Sequence, residues 1–437
     1  MIASTINSTW TDYRASTLST PRAAVEKIAI GFLTLSLLLS FLQYCFERND
    51  LVRLVPIVFL LAGAFLCLLI SPRLQRRHLL MSVLRPWTLA SITIVTLPPI
   101  VSSLFYRPTL YPFQYGIVMI VTLAAIRILL SEIGFEGLLL SFFYATTVSF
   151  LIVIGISFSD LLASIGSARF APLYFDPNRI GFFAVTAIPA QLWYAMRCRR
   201  FYVLLMSALC VFVMVAASSR GSIGALLIGG LFMAFLYTFR QARSSPFTIS
   251  INKLMGTLTL LCVFTVVAGF EQRNFASAGE YLRVKLALDD RDRGLNTGFT
   301  GRTTGWAELV NMTPKTPWPI GNGYRTSDQD FDFSVDNGFI AGFYELGLFS
   351  TIVVLAKYIF VVYLLSVVYF RNALATGTCL PALLFTLVVF FANAFVHRVF
   401  FGIGEQASIL AVFAFISTKQ DILREVISMM QAPIRQL

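Results

Sequence analysis

Apolar stretches of about 20 residues, the length needed to cross hydrocarbon as a helix, follow one another along almost the whole chain with short polar breaks between them. This pattern predicts twelve membrane-spanning helices. Their centres lie near Leu37, Leu61, Thr96, Val121, Thr147, Thr186, Leu209, Ile228, Leu260, Leu355, Leu387 and Leu410. Three pairs are closely spaced (Thr96/Val121, Val121/Thr147 and Leu387/Leu410), so eleven or thirteen spans are the neighbouring solutions. One break is different in kind. From Glu271 to Gly338 the chain is polar for about 68 residues, a length at which loops are functional or disordered. The expected fold is an all-α polytopic membrane protein. It is divided into an N-terminal segment (1–27), nine spans (28–270), the large loop (271–338), three spans (339–418) and a C-terminal tail (419–437).

Composition agrees with the pattern. The chain is 57% hydrophobic and 13% charged, against roughly 25% charged in soluble domains, and its mean hydropathy is +0.76. The first 27 residues are polar, and "ERND" rather than a small-residue cleavage site follows the first apolar run. That run is expected to stay as a span.

A net charge of +12 raises the question of nucleic acid, and its placement answers against that. Arg14, Arg22 and Lys27 precede the first span, and Arg73, Arg76, Arg77 and Arg85 join the second to the third. Arg197, Arg199 and Arg200 follow the sixth, and Arg240, Arg243 and Lys253 join the eighth to the ninth. Arg371 follows the tenth, and Lys419, Arg424 and Arg435 lie in the tail. With twelve spans all of these fall on one side, which the positive-inside rule makes cytoplasmic. Both termini are then cytoplasmic and the large loop faces outward. The six cysteines lie in or beside spans without C-x-x-C spacing. His78 and His397 fall on opposite sides, so no metal ligand set and no cofactor are expected.

Within the large loop, "EYLRVKLALDDRDR" has imperfect helical spacing (Tyr281, Val284, Leu286, Leu288) and suits a short amphipathic helix on the membrane surface. "TGRTTGWAELVNM" predicts a second short helix, "TPKTPWPIGNGY" a rigid turn, and "SDQDFDFSVDNG" closes the loop with acid. A second outward loop, Phe158 to Asn178, holds "SARFAPLYFDPN". Arg220 sits in "ASSRGSIG" with almost no loop around it, and Arg398 lies in the last outward turn.

Several of these residues carry two readings. Arg220 either snorkels to the outer interface or contacts an anion through its planar fork of donors. The helix that begins at Gly221 and Ser222 adds a second anion-attracting feature. Arg302 and Arg169 read either as loop arginines or as further anion contacts. Asp336 and Asn337 suit the N-cap of the helix opening near Gly338, and local sequence favours capping over catalysis for Asp336. Glu345 is a buried carboxylate or faces a polar cavity. Trp306 and Tyr324 read first as packing aromatics.

Taken in order, "ARFAPLYFDPNRIG", "SSRGSIGALL", "TGRTTGWAEL", "WPIGNGY" and "VDNGFIAGFYELGLFS" resemble the superfamily of bacterial O-antigen ligases and Wzy-type polysaccharide polymerases, exopolysaccharide polymerases of the ExoQ kind included. The likeness covers roughly Arg169 to Ser350, and the twelve-span layout with one large outer loop extends it. The resemblance implies a GT-C-like, metal-independent glycosyltransferase at the periplasmic face of the inner membrane. Its donor is a glycan on polyprenyl (undecaprenyl) diphosphate. The acceptor is another lipid-linked repeat in a polymerase, or lipid A-core in a ligase, and a chain-length regulator is a candidate partner. Arg220, with Arg302 and Arg169 behind it, would meet the diphosphate. Asp336 would take the proton, and Asn337, Tyr324, Glu345 and Arg398 would line the site. Ligases commonly carry His before the motif's Asn, where this chain has Asp336, and that departure favours a polymerase. A lipid-linked oligosaccharide flippase is the reading of another class. Against it stand the lack of duplicated hydropathy, the few mid-span charges and the single lopsided loop.

Overall fold

The computed structural model describes residues 20–46, 50–105, 110–164, 169–173, 176–244, 302–312, 319–324, 326–330, 337–371, 378–395, 397, 408–417 and 421–422. Among them only helices and turns occur. In chain order the helices are α1 (Thr20–Leu42), α2 (Asp50–Ile70), α3 (Arg73–Leu84), α4 (Pro86–Phe105) and α5 (Leu110–Ile156). Then follow α6 (Phe158–Ala163), α7 (Pro177–Cys198), α8 (Val203–Ala216), α9 (Arg220–Ser244), α10 (Arg302–Met312), α11 (Ser327–Asp330), α12 (Gly338–Arg371), α13 (Leu380–Ala394) and α14 (Ser408–Ile416).

Among the described residues, five helices are long and apolar enough to cross a membrane: Ala24–Cys45, Pro86–Phe105, Phe113–Ile156, Arg220–Arg240 and Gly338–Phe370. The chain is an all-α membrane protein. Eleven of the twelve expected centres fall on described helices. The span near Leu260 lies outside the described residues, as do the amphipathic segment around Tyr281, Asp336 and Arg398. The centres near Val121 and Thr147 share one element, α5, which breaks at Gly134 (φ 61°, ψ −163°). A left-handed φ is open to glycine at little cost, so two spans join there without a loop.

One helix was not anticipated. Residues 73–84, read from sequence only as a basic marker, form α3, and Gln75 Nε2 donates to Glu132 Oε2 at 2.7 Å. Nearby, Asp421 pairs with Arg85 (2.8 Å) and with the buried Arg127 (2.9 Å), and Glu136 pairs with Arg197 at 2.8 Å. These contacts gather at one end of the bundle the segments that the charge pattern assigns to the cytoplasm. A shared carboxylate between two guanidiniums also answers the high desolvation cost of Arg127.

At the other end two interrupted helices repair each other. In α4, Pro98 and Pro99 have no N–H to donate to Ile94 and Val95. The Ile94 carbonyl accepts from Ser350 Oγ (2.7 Å), and the Val95 carbonyl from Tyr324 Oη (3.0 Å). In α12 the helix breaks at Gly347 (φ 81°, ψ 168°). The Tyr344 carbonyl before the break accepts from the Asn322 main-chain N–H (3.0 Å) and from Asn322 Nδ2 (3.1 Å). The Glu345 carbonyl accepts from the Gly323 N–H at 3.0 Å, and beyond the break the Phe349 N–H donates to the Pro319 carbonyl. Ser102 Oγ donates to the Gly321 carbonyl. The turn read as rigid from "WPIGNGY" is therefore a plug in the α12 break, wedged against α4. Seven residues separate Ser102 from Val95 on α4, so the Tyr324 hydroxyl reaches about 10 Å further along that helix than the Gly321 contact.

The two backbones meet at Gly321 (φ +78°) and Gly347. A Cβ on either would overlap main-chain atoms of the other segment, and both have φ in the region that L side chains avoid. Gly347→Ala and Gly321→Ala are each expected to destabilise the folded protein by about 1–2 kcal/mol from φ strain alone, with the main-chain overlap added to that. Gly224→Ala, where a Cβ meets nothing within 4 Å in a regular helix, is expected to be neutral or to stabilise by up to about 1 kcal/mol. Thermal unfolding in detergent measures all three.

Candidate functional site

The first two motifs of the sequence meet on the turn between α8 and α9. Helix α8 ends with Ser218 at φ 53°. The Ser219 N–H donates back to the Met214 carbonyl (3.1 Å) and the Ser218 N–H to the Val215 carbonyl (2.9 Å). This is the paired hydrogen bonding of a Schellman close, here with serine in the left-handed position. The chain then turns at once into α9: the Ser219 carbonyl accepts from the Ile223 N–H at 3.1 Å. Arg220, half-buried, occupies the first helical position.

Arg169 fixes this turn from outside. Its Nε donates to the Ala217 carbonyl (3.1 Å) and its Nη2 to Asn178 Oδ1 (3.2 Å). Next to it, the N–H of the fully buried Phe170 donates to the Ala216 carbonyl at 2.9 Å. Asn178 opens α7, whose N-cap is Asp176, the carboxylate accepting from the Asn178 N–H at 2.6 Å. Ser219 Oγ also reaches the Asn178 carbonyl (3.4 Å) and lies 2.9 Å from Ser222 Oγ. Gly181, one turn into α7, lets the helices come this close, since a Cβ there would overlap Ser219. Arg169 thus works as a clamp between α7 and the α8–α9 turn, and Arg220 projects from what it clamps.

The last motif is placed by α12. Asn337 Oδ1 accepts from the main-chain N–H groups of Phe339 and Ile340, both at 3.0 Å, and the Asn337 carbonyl accepts from Ala341 at 3.0 Å. Asn337 is the N-cap. Sequence offered both Asp336 and Asn337 for this end of the helix; the buried Asn337 stands one position before the first helical turn and makes these contacts, and Asp336 lies outside the described residues. Glu345 is buried, and its Oε1 accepts from Ser327 Oγ at 2.7 Å. Tyr344 Oη donates to Asp330 Oδ2 at 2.6 Å, so α11 is fastened to α12 by two side-chain contacts. Tyr324 is buried in the plug. Burial first, and then the Glu345 carboxylate, push its phenol well above the ordinary value, which keeps it a neutral donor to Val95. Arg302 begins α10, the short helix expected from "TGRTTGWAELVNM", with Trp306 half-buried one turn later.

The two halves of the site are joined by aromatic rings. Phe339 packs on Phe391 (5.3 Å) and Phe395 (4.6 Å) of the α13 end, and Phe182 of α7 packs on Phe390 (6.1 Å). The first turns of α7, α9 and α12 therefore come to one end of the bundle, around the C-terminal end of α13.

Residues 205–355 match the family model described as O-antigen ligase. The matched stretch holds the turn before Arg220, the plug and the break in α12, and it supports the resemblance to the O-antigen ligase and Wzy-type superfamily carried by the motifs. No curated protein matches the chain.

Replacing Arg169 by Ala removes the donor to the Ala217 carbonyl and is expected to cost about 1–3 kcal/mol. Arg169→Lys is expected to recover less than half of that, because a single ammonium does not span two acceptors as the planar fork does. At the α12 cap, Asn337→Ala is expected to lose about 1 kcal/mol and Asn337→Asp to lose little. Melting temperatures of the four variants check both statements.

Proposed function

We propose that the chain is a polysaccharide polymerase that transfers a glycan from polyprenyl diphosphate to a sugar hydroxyl of a second lipid-linked repeat. The observation that carries this reading is the convergence at one end of the bundle of Arg220, on a turn held by Arg169, with the capped start of α12. The end in question is the one away from the Arg85–Asp421–Arg127 network. We assign it to the periplasmic face, with both termini cytoplasmic.

In the reaction, the bond between the anomeric carbon and the diphosphate oxygen breaks, and its electron pair stays with the lipid diphosphate. The acceptor hydroxyl oxygen forms the new bond to that carbon. Negative charge grows on the leaving diphosphate, so a guanidinium fixed beforehand stabilises the transition state more than the ground state. Arg220 has that role, and the N–H groups opening α9 add to it. Arg302 and Arg398 are assigned as further diphosphate or substrate contacts. The hydroxyl proton passes to Asp336, one residue before the Asn337 cap. A carboxylate in a dry site is a competent base.

A second reading has its own support. The matched family model is described as an O-antigen ligase, and a ligase would use the same donor side with lipid A-core as acceptor. Asp336, where ligases carry His, is the reason to prefer the polymerase.

In cells whose own copy is deleted, Arg220→Ala is expected to reduce glycan extension by at least about a hundredfold, the scale of losing one transition-state donor. Asp336→Asn is expected to do the same with unchanged protein in the membrane fraction. Electrophoretic length profiles of the glycan read this directly, and wild-type length in either variant would remove that residue from the mechanism.

A further inference from the structure

His397 has no role in the scheme above. The structure nevertheless puts it where the motif-bearing helices converge. Its ring lies 5.5 Å from Phe182, the residue after Gly181, and Gly181 is in contact with Ser219 and Ser222 beside Arg220. Two residues earlier, Phe395 packs on Phe339, two residues after the Asn337 cap. The crossing of α9 and α13 gives an independent measure of height. Gly229 of α9 abuts Val389 and Phe385 of α13. From there, Arg220 is nine residues toward the site, about 13 Å at helical rise. Helix α13 runs five residues beyond Val389 in the same direction, about 7.5 Å, to Ala394, and His397 follows its end. Arg220 and His397 therefore lie toward the same end of the bundle.

Four residues before His397, in the last turn of α13, is Asn393. It is 0% exposed, and neither its Oδ1 nor its Nδ2 has a hydrogen-bond partner. A buried carboxamide with both ends unpaired is costly, and such exceptions call for a reason. On the other side of the Arg220 turn the buried Ser218 hydroxyl is also without a partner. Among the described residues, these two groups leave polar atoms unpaired toward the end of the bundle where the motifs converge.

The geometry points to His397 as the acid that accompanies departure of the lipid diphosphate, with the Asn393 carboxamide hydrogen-bonding the same substrate. This rests on the glycosyl-transfer reading and adds a group to it. As the anomeric carbon–oxygen bond breaks, the diphosphate oxygen keeps the electron pair and takes a proton from the imidazolium. The acceptor hydroxyl's proton goes to Asp336. Each turnover ends with a neutral imidazole and a protonated carboxyl, which reset by exchange with water. Among the described residues, the other charged groups brought to this end include Arg169, Asp176 and Arg179 near the start of α7, Arg220 of α9, Arg302 of α10, Asp330 of α11 and Glu345 of α12. Asp176 is the α7 cap, Arg179 lies over the Tyr44 ring at 4.5 Å, and Glu345 accepts from Ser327.

The test uses the full chain in nanodiscs with the producing cell's repeat unit on undecaprenyl diphosphate. Wild-type protein must lengthen the glycan; failure there overturns the polymerase reading itself. Given turnover, His397→Gln is expected to lower kcat about a hundredfold, within the usual range for general acid catalysis, with KM little changed. The proton donor must be protonated, so the wild-type rate falls as pH rises through the imidazole pKa, and this alkaline limb is expected to vanish in the Gln variant. His397→Arg keeps a cation that does not titrate near neutrality and is expected to retain part of the rate, also without the limb. Asn393→Leu is expected to raise the melting temperature, since it removes an unpaired buried amide, and to raise KM at least tenfold. A His397→Gln protein with wild-type kcat and an intact alkaline limb overturns the acid role. An Asn393→Leu protein with wild-type KM overturns the contact. Undecaprenyl diphosphate alone separates the two layers. Its stabilisation of the wild type is expected to weaken from pH 6 to pH 8.5 more steeply than its stabilisation of His397→Gln, whether or not turnover occurs, and equal slopes contradict the inference.

Discussion

Inside hydrocarbon a main-chain N–H or C=O that loses its helical partner has no water to turn to, and the interruptions in α4 and α12 are arranged around that constraint. Prolines free two carbonyls on α4, and a glycine breaks α12. The same short turn, Pro319–Tyr324, serves both, by pairing its own backbone with the α12 break and sending Tyr324 to α4. Ser350, just past the break, answers the other α4 carbonyl. Neither helix is complete without the turn, and the turn is held between the two helices. This mutual repair holds the first part of α12, the part that opens at the Asn337 cap.

The same economy recurs on the other side of the site. The α8–α9 turn has almost no residues to spare, so it closes through a left-handed serine and is fixed from outside by Arg169. An arginine used to hold a main-chain carbonyl and an asparagine gives a rigid mount for the next arginine. In the proposed reaction, preorganised positive charge of this kind would favour diphosphate departure, since little reorganisation is left for the moment of bond breaking.

Much of this was legible in the chain. Run length predicted the helices, the order of short motifs pointed to the superfamily, and "WPIGNGY" read as rigid. What periodicity does not carry is partnership. Nothing local says that Pro98 and Pro99 are answered by Ser350 and Tyr324, because those contacts join positions more than 200 residues apart. Asp336 and Asn337 are equally good caps by residue type, and only the start of α12 decides for Asn337. Helix α3 was missed because its arginines were read for their charge and not for their spacing. His397 was set aside because a histidine was weighed only as a metal ligand. The nearby "FVHRVFF" gave a signal, a lone titratable ring among aromatics at a span end, that membrane energetics marks as functional.

The central claim is that a lipid-linked glycan is both donor and acceptor at this site. Purified protein given the oligosaccharide on undecaprenyl diphosphate, with and without lipid A-core, tests it most directly by mass analysis of the products. The account predicts a ladder of longer lipid-linked glycans that forms without lipid A-core and is unaffected by adding it. A single transfer that occurs only onto lipid A-core would contradict it and make the chain a ligase.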